Sequence, residues 1–313
     1  MAVMKTVLGI FRAACFSPGM VERDEAILRA VMTRLQAQGF MTCLIHEEEL
    51  TAHTPMPDMV LHMTRSSEAL AILEKWQNAG CHVLNSVEGI RSVERAALAQ
   101  LCAQQGIPTP TTWIVSTASA HTLVAKNTEG VPCEITFPCW IKRTGSCAQQ
   151  AEDICRASDI IEYRNRLTQF HTRGITEVVV MEHLEGTVIK FYAVKSAGFS
   201  YFVPSTSLGY DKFSTTPSNA STNGLEWKTE SLNQLLSTIN CQLEIFGGDA
   251  IVGHDGIARL IDLNDWPSFS ACRETAAEAI IHIIKNFQSQ KEENASARHH
   301  EENRAALNIF LTK

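Results

Sequence analysis

The most specific feature of the sequence is the stretch Gly247–Phe269, GGDAIVGHDGIARLIDLNDWPSF. Its apolar runs predict two strands, Asp249–Val252 and Ala258–Leu263. The turn signal His254-Asp255-Gly256 lies between the two runs, so we expect them to form a β-hairpin. A short hairpin brings the start of its first strand beside the end of its second strand, so acidic residues that are separate in the chain become neighbours.

The hairpin places two carboxylates and one amide close together. Asp249 opens the first strand and Asp262 closes the second, and Asn264 points to the same side if the strand continues. Three such oxygen donors suit Mg²⁺, whereas two acids this close would repel each other without a metal or a nearby base. The alternative interpretation is an Asp in a hairpin turn and an Asn that caps the next loop. Asp265 and Asp255 are interpreted as turn residues.

Gly-Asp-Ala-Ile-Val, followed after a hairpin by Asp-x-Asn-x-x-Pro, resembles the C-terminal metal segment of ATP-grasp enzymes. The resemblance implies that Asp249, Asp262 and Asn264 hold two Mg²⁺ ions, with Mn²⁺ as an alternative, between the phosphates of ATP. Pro267 matches the proline that follows in the family. The implied fold is the ATP-grasp fold, of α/β and α+β class, in which an N-terminal βαβ domain accompanies two lobes that clasp ATP.

A second motif is the short apolar strand Phe137–Lys142, which ends in a lysine. This motif alone is weak evidence, because most lysines at strand ends meet solvent. A strand-end lysine that faces a cleft suits a phosphate group. In ATP-grasp enzymes a similar strand supplies a lysine to the nucleotide phosphates, so the resemblance assigns that role to Lys142. The following Arg143-Thr144-Gly145-Ser146 resembles the loop that covers the phosphates, and Ser146 is its expected contact.

Val178–Gly186 resembles the hinge strand that pairs with adenine through its backbone. The resemblance places three residues along the base, namely Glu182, His183 and Leu184. Many family members have a ribose-binding acid at the position of Val188, so Glu185 is expected to substitute for it here. Without the neighbouring motifs, the same stretch would be an ordinary buried strand that ends in a turn.

Three basic residues complete the predicted site. By resemblance, Arg95 starts the helix before the central domain and contacts phosphate; its alternative is a solvent-facing helix arginine. Lys190 matches a lysine found both in ribosomal-protein glutamate ligases and in inositol polyphosphate kinases, and it is predicted to be catalytic. Arg273, soon after the metal segment, could grip a substrate carboxylate as a catalytic residue or could equally cap its helix.

The order of predicted elements suggests three domains. The first ninety residues alternate strand and helix, which indicates an open parallel sheet. We therefore assign residues 1–90 to an N-terminal βαβ domain, 91–184 to a central lobe and 185–313 to a C-terminal lobe with the metal site and a final helix. Arg91–Gln105 and Thr229–Phe246 are predicted helices. Ser205–Asn223, rich in Ser and Thr, is either a plain surface connection or a lid over substrate, and the polar residues 288–304 have no expected role.

The composition excludes several other classes of protein. The 313 residues carry a net charge of -7, so a nucleic-acid-binding surface is not expected. The ten cysteines form no CxxC pair, which disfavours a zinc site and favours reduced thiols in the cytoplasm. No apolar run is long enough to cross a membrane.

Most ATP-grasp enzymes are ligases that activate a carboxylate as an acylphosphate, which an amine then attacks. The resemblance therefore implies such a ligase, acting on amino-acid or peptide-type small molecules. The alternatives are an inositol polyphosphate kinase of the same fold and a non-catalytic ATP-binding regulator. The few basic residues near the site favour a substrate less charged than an inositol polyphosphate. A homodimer is expected for this architecture, although the sequence leaves the oligomeric state open.

Overall fold

The computed structural model describes residues 5–119, 124–130, 132–145, 148–205 and 226–287. Three sequence-based expectations fall outside these ranges. They concern Ser146, the Ser205–Asn223 segment beyond its first residue, and the polar stretch 288–304.

The N-terminal sheet is parallel, as the strand–helix alternation predicts. Its strands β1 (Thr6–Phe11), β2 (Met41–His46), β3 (Met59–His62) and β4 (His82–Leu84) lie in the order β2-β1-β3-β4. Helix α1 (Val21–Ala37) buries an apolar stripe of residues spaced three and four apart. Helix α2 (Ser67–Asn78) is capped by Ser66, whose hydroxyl accepts from the amide of Ala69.

The predicted helix Arg91–Gln105 is two helices, α3 (Val87–Ser92) and α4 (Arg95–Gln105). The prediction is wrong at the junction because the Ser92 hydroxyl donates to the carbonyl oxygens of Gly89 and Cys241. Glu94, just before α4, has a ψ of 136°, which is not a helical value. Gly106 then ends α4 in the left-handed conformation that favours glycine.

The central sheet is antiparallel and has its own core. Its strands are β5 (Thr112–Ser116), β8 (Cys139–Arg143), β9 (Ile154–Ala157) and β10 (Glu177–Glu182), in the order β5-β10-β8-β9. Helix α5 (Ile160–Thr172) covers one face through Tyr163, Leu167 and Phe170. Strand β9 and the small hairpin of β6 (Val124–Lys126) and β7 (Pro132–Glu134) were not predicted.

The C-terminal sheet is also antiparallel, in the order β12-β11-β13-β14. It contains β11 (Thr187–Val194), β12 (Phe199–Pro204), β13 (Ile245–Val252) and β14 (Ala258–Asp265). Strands β13 and β14 form the predicted hairpin. Helices α6 (Glu226–Thr238) and α7 (residues 273–287) flank it.

The predicted helix Thr229–Phe246 is wrong after residue 238. Apolar side chains in 239–246 are buried in an irregular segment and at the start of β13, and apolar spacing alone cannot distinguish these from a helix face. Gln242 has a φ of 55°, which ends any continuous right-handed helix.

Two hydrophobic cores each join the N-terminal and C-terminal parts of the chain. In the first core, Val60, Leu73 and Ile90 lie with Phe191 and Leu235. In the second core, residues of α1 lie with Trp266, Phe269 and residues of α7. The central sheet does not share them. The division into domains at residues 90 and 184 remains a prediction.

Candidate active site

Lys190, Asp249 and Asp262 lie side by side on three neighbouring strands of the C-terminal sheet. Lys190 of β11 pairs in register with Asp249 of β13, which pairs with Asp262 of β14. Residues directly opposite in antiparallel strands project from the same face, so the three side chains share one surface. Asn264, two residues after Asp262, lies on that face as well. The hairpin therefore gathers the residues as the sequence predicts.

Lys190 and Asp249 form an ion pair at the centre of this face. The Lys190 Nζ atom is 3.0 Å from Oδ1 and 3.2 Å from Oδ2 of Asp249. Burial acts to lower the pKa of the Lys190 ammonium, but the adjacent Asp249 carboxylate outweighs it and the pKa is raised. Lys190 is therefore charged at neutral pH. Both side chains remain partly exposed, so they are open to a ligand in the cleft.

Asp262 is held in its charged form by its surroundings. Burial acts to raise its pKa, but Arg95, Lys142 and Lys190 outweigh that effect and the pKa is lowered. The Arg95 Nε atom lies 4.0 Å from Oδ1 of Asp262. The Asn264 side chain also acts to lower the pKa of Asp262. The carboxylate is therefore available as an anionic ligand.

Lys142, at the end of β8, reaches across from the central sheet to the C-terminal sheet. Its Nζ atom donates to the carbonyl oxygen of Ile261 at 2.7 Å and lies 3.8 Å from the sulfur of Met181. The lysine is buried, and burial lowers the pKa of its ammonium, although the Asp262 carboxylate partly offsets the effect. Lys142 thus faces the cleft between the sheets and does not meet bulk solvent.

Arg95, the first residue of α4, is buried, so the alternative of a solvent-facing arginine is wrong. Its Nη1 atom donates to the carbonyl oxygens of Arg143 at 3.1 Å and Gly145 at 3.4 Å. These carbonyls lie at the end of β8 and in the segment that leads to Ser146. Arg95 thereby links Asp262 to the predicted phosphate-covering loop.

Arg95, Lys142 and Asp262 border a narrow cavity of about 20 Å³ between the two sheets. Residues of both sheets and of α4 line it, including Arg95, Lys142, Met181, Leu260 and Asp262. This volume suits about one water molecule. A nucleotide is far larger than this volume, so the cleft would have to widen to admit one.

The predicted hinge strand, Val178–Gly186, comprises most of β10 and the four residues after it. The Glu182 amide donates to the Thr111 carbonyl oxygen at 2.9 Å, and the His183 amide donates to that of Pro138 at 3.3 Å. Within the described residues, the amide of Leu184 has no hydrogen-bond partner. Leu184 therefore offers a free backbone donor in the hinge.

The side chains of the hinge form a short chain of contacts. Trp140 donates through Nε1 to Nδ1 of His183 at 3.0 Å, and His183 Nε2 lies 3.1 Å from Oε1 of Glu185. The Glu185 side chain is 82% exposed and could turn toward a ligand.

Arg273 stands apart from the other predicted site residues. It is the first residue of α7, and its side chain makes no hydrogen bond or ion pair within the described part of the chain. No contact there joins it to the cleft, and its role remains a prediction.

The sequence analysis missed two features of the site. Met181 and Leu260 line the cleft, but in the sequence they look like ordinary strand residues. Asp265 was interpreted as a turn residue, and this is wrong, because it is the last residue of β14 and is fully buried against Arg65. No local signal could have shown this, since Arg65 is distant in sequence.

The described residues contain no group of three or more His, Cys, Asp and Glu side chains arranged to hold a metal. The site has two carboxylates and one amide, which is enough for Mg²⁺ because that ion keeps several waters and binds substrate phosphates. The positive charges of Arg95, Lys142 and Lys190 outnumber the two carboxylates by one. The face therefore suits an anion that binds together with a metal cation.

None of the helices in the described ranges combines the length and apolar content needed to span a bilayer.

No protein-family model and no curated protein sequence matches the chain. Solved structures do resemble it. D-alanyl-alanine synthetase A from Vibrio cholerae has a TM-score of 0.65 at 10% identity, over 91% of this chain and 99% of that one. D-alanine–D-alanine ligase from Bacillus anthracis complexed with ATP has a TM-score of 0.65 at 12% identity, over 93% of this chain and 100% of that one.

A RimK domain protein ATP-grasp from Sphaerobacter thermophilus has a TM-score of 0.63 at 14% identity, over 88% of this chain and 96% of that one. These likenesses extend over nearly the whole of each chain. The predicted fold is confirmed: this chain has the ATP-grasp fold of the D-alanine–D-alanine ligases and RimK-type proteins it resembles.

Proposed function

We propose that the protein is an ATP-dependent ligase that activates a small carboxylate of amino-acid or peptide type as an acylphosphate, which an amine then attacks. The observation that carries the proposal is the face formed by Lys190, Asp249, Asp262 and Asn264, with Lys142 and Arg95 opposite. The structural neighbours are named as ligases and synthetases, which supports the same class of reaction.

The nucleotide would lie between the central and C-terminal sheets. The free amide of Leu184 would donate to the adenine ring, beside Glu182 and His183, while the exposed Glu185 would receive the ribose hydroxyls. Lys142 would exchange the carbonyl of Ile261 for a phosphate oxygen. That exchange replaces a neutral acceptor with an anionic one, which adds attraction between opposite charges. Arg95 and Ser146 would face the remaining phosphates.

The two carboxylates and Asn264 fit a hard divalent cation. Asp249, Asp262 and Asn264 would hold Mg²⁺, with Mn²⁺ as an alternative, and a bound ion supplies positive charge that offsets charge on the phosphates. Lys190 would then share Asp249 with the ion. The charge on Asp262 favours this role, because a protonated carboxyl group is a poor ligand.

Positioning and electrostatics account for the reaction without a nucleophilic side chain. A substrate carboxylate oxygen would attack the γ-phosphorus, and the bond from phosphorus to the ADP oxygen would break. The amine would then attack the acyl carbon, inorganic phosphate would leave and the amine nitrogen would lose a proton. Lys190 and Arg95 would stabilise the charge on the transferred group, and Arg273 would grip a second substrate carboxylate. We also propose that the enzyme acts as a homodimer on small molecules.

The proposal is tested by measuring ADP and inorganic phosphate released from Mg-ATP with pooled substrates. Pools of amino acids and small acids are run beside pools of inositol phosphates. A ligase releases equal ADP and phosphate, and only when an acid and an amine are both present. ADP without free phosphate, together with a phosphorylated product, would establish the kinase alternative and overturn the proposal.

A further inference from the structure

The carboxyl edge of the N-terminal sheet is filled by the protein's own strands. In open α/β sheets this edge, at the point where the strand order reverses, is the usual ligand site. The order β2-β1-β3-β4 reverses between β1 and β3, and the residues that follow these strands include Arg12 and Arg65. Both arginines contact the end of β14, so this edge holds the hairpin that carries the proposed metal ligands.

The first anchor is Asp265, the residue after Asn264. Asp265 has no exposed surface and forms an ion pair with Arg65, whose side chain is also buried. Arg12 adds further contacts, because its Nη2 atom donates to the carbonyl oxygens of Asp265 at 3.2 Å and Trp266 at 3.4 Å. The last residues of β14 are therefore fixed by two guanidinium groups of the N-terminal sheet.

The second anchor is Asn85, which follows β4 and is fully buried. Its Nδ2 atom donates to the Ile245 carbonyl oxygen at 2.7 Å. Its Oδ1 atom accepts from the amides of Glu244 at 2.9 Å and Ile245 at 2.8 Å. Asn85 therefore satisfies both backbone groups of the residue that begins β13.

A buried histidine supports the second anchor. The His62 Nε2 atom lies 2.8 Å from the carbonyl oxygen of Asn85, and Nδ1 lies 2.9 Å from Oγ1 of Thr64. A carbonyl oxygen only accepts, so Nε2 carries the hydrogen and Nδ1 accepts from the Thr64 hydroxyl. The Trp266 indole also donates to the carbonyl oxygen of Leu84 at 3.3 Å, which links the two anchors.

The two anchors act on neighbouring points of one hairpin. Phe246 pairs with Asp265 and Gly247 with Asn264, so the start of β13 and the end of β14 are adjacent. A buried ion pair adds little net stability over apolar residues of similar volume, so stability alone gives little reason for this arrangement. Fixing one geometry is the role that fits, because a catalytic group displaced by about 1 Å can lose about 100-fold in rate.

We propose that Arg65, Asp265 and Asn85 are positioning residues, which hold Asp249, Asp262 and Asn264 in the arrangement that binds the divalent cation. This inference rests on the proposed function. Asn85 holds the backbone of β13, and Arg65 pairs with Asp265 at the end of β14, so we expect all three residues to act through the backbone of these two strands. The N-terminal sheet thus sets the geometry of a metal site that lies in another sheet.

The test measures Mn²⁺ affinity by electron paramagnetic resonance in the presence of a non-hydrolysable ATP analogue, so it does not depend on turnover. The main variant is Arg65→Met with Asp265→Asn, which removes the ion pair and keeps similar volumes. The matched control is Arg259→Met with Asp255→Asn, which removes an exposed ion pair of 2.6 Å at the far turn of the same hairpin. We expect Mn²⁺ binding to weaken about tenfold in the main variant and to be unchanged in the control.

Wild-type Mn²⁺ affinity in the folded main variant would overturn the inference. If that variant does not fold, Arg65→Lys is measured in the same way, since it keeps the charge and loses only the planar fork. Its Mn²⁺ affinity should fall severalfold, and an unchanged value would again overturn the inference. Absence of Mn²⁺ binding in the wild-type protein with the analogue would instead contradict the proposed function.

Discussion

Gly248, one residue before Asp249, lies where β13 and β14 approach too closely for a side chain. A Cβ atom at this position would be 2.1 Å from the carbonyl oxygen of Asp262 and 2.7 Å from Cζ of Phe191. Gly248→Ala therefore pushes directly on the backbone of the residue that is proposed to bind the metal.

The size of the effect follows from these contacts. Overpacking in a core costs about 1–3 kcal/mol, and the upper end applies here because a backbone oxygen cannot rotate away. Replacing glycine by alanine also lowers the conformational entropy of the unfolded chain, which offsets about 0.4–1 kcal/mol of this loss. We expect a net loss of about 2 kcal/mol in the free energy of unfolding, or about 4–8 °C in Tm.

Thermal unfolding followed by circular dichroism measures this loss. The control is Gly253→Ala in the same hairpin, where the nearest atom is Oδ1 of Asp255 at 2.8 Å, on a side chain that can move. The control should change stability by no more than about 0.5 kcal/mol. Equal Tm values for Gly248→Ala and the wild-type protein would refute the close approach of the two strands, and with it the packing that sets Asp249 beside Asp262.

Three further predictions use other parts of the structure. Lys142→Met should weaken ATP binding at least about tenfold in a calorimetric titration, because the lysine is a buried cation of the cleft; unchanged affinity would remove it from the nucleotide site. Asp153→Ala should lower stability by about 3 kcal/mol in urea unfolding, because the buried carboxylate pairs with Arg173 and accepts from the amides of Gln149 and Gln150; a loss below about 1 kcal/mol would count against this network. At about pH 8 a thiol reagent should modify the exposed Cys15 and Cys43 and spare Cys102, Cys139 and Cys272, because burial raises the pKa of each of these thiols to about 12. Mass spectrometry of the modified peptides identifies the sites, and rapid modification of Cys102 would contradict its burial.

The features that could be predicted from the sequence are local ones. The hairpin of Asp249 and Asp262 is encoded within one short stretch, so apolar runs and a turn signal are enough to bring the two carboxylates together. The parallel N-terminal sheet follows in the same way from regular alternation of strand and helix. Asp255 is the turn residue that was expected, since it pairs with Arg259 and accepts from the amide of Ile257.

The features that could not be predicted depend on contacts between distant parts of the chain. Asp265 and Asn85 have polar side chains typical of turns, and their burial depends on partners far away along the chain, such as Arg65 for Asp265 and Ile245, 160 residues away, for Asn85. The contact of Lys142 with the carbonyl of Ile261 has no sequence signal, because every residue has a carbonyl group. The end of α6 was missed because the buried residues after it keep a spacing compatible with a helix.

The central claim is that Asp262 holds the cation that ATP needs for turnover, and Asp262→Ala tests it most directly. The measurement is the rate of ADP release from Mg-ATP with the stimulating substrates, beside a circular dichroism spectrum of the same sample. The Asp262 side chain is partly exposed, so we expect a folded variant with the wild-type spectrum and no measurable turnover. Wild-type turnover in that folded variant would contradict the metal site on which the account rests.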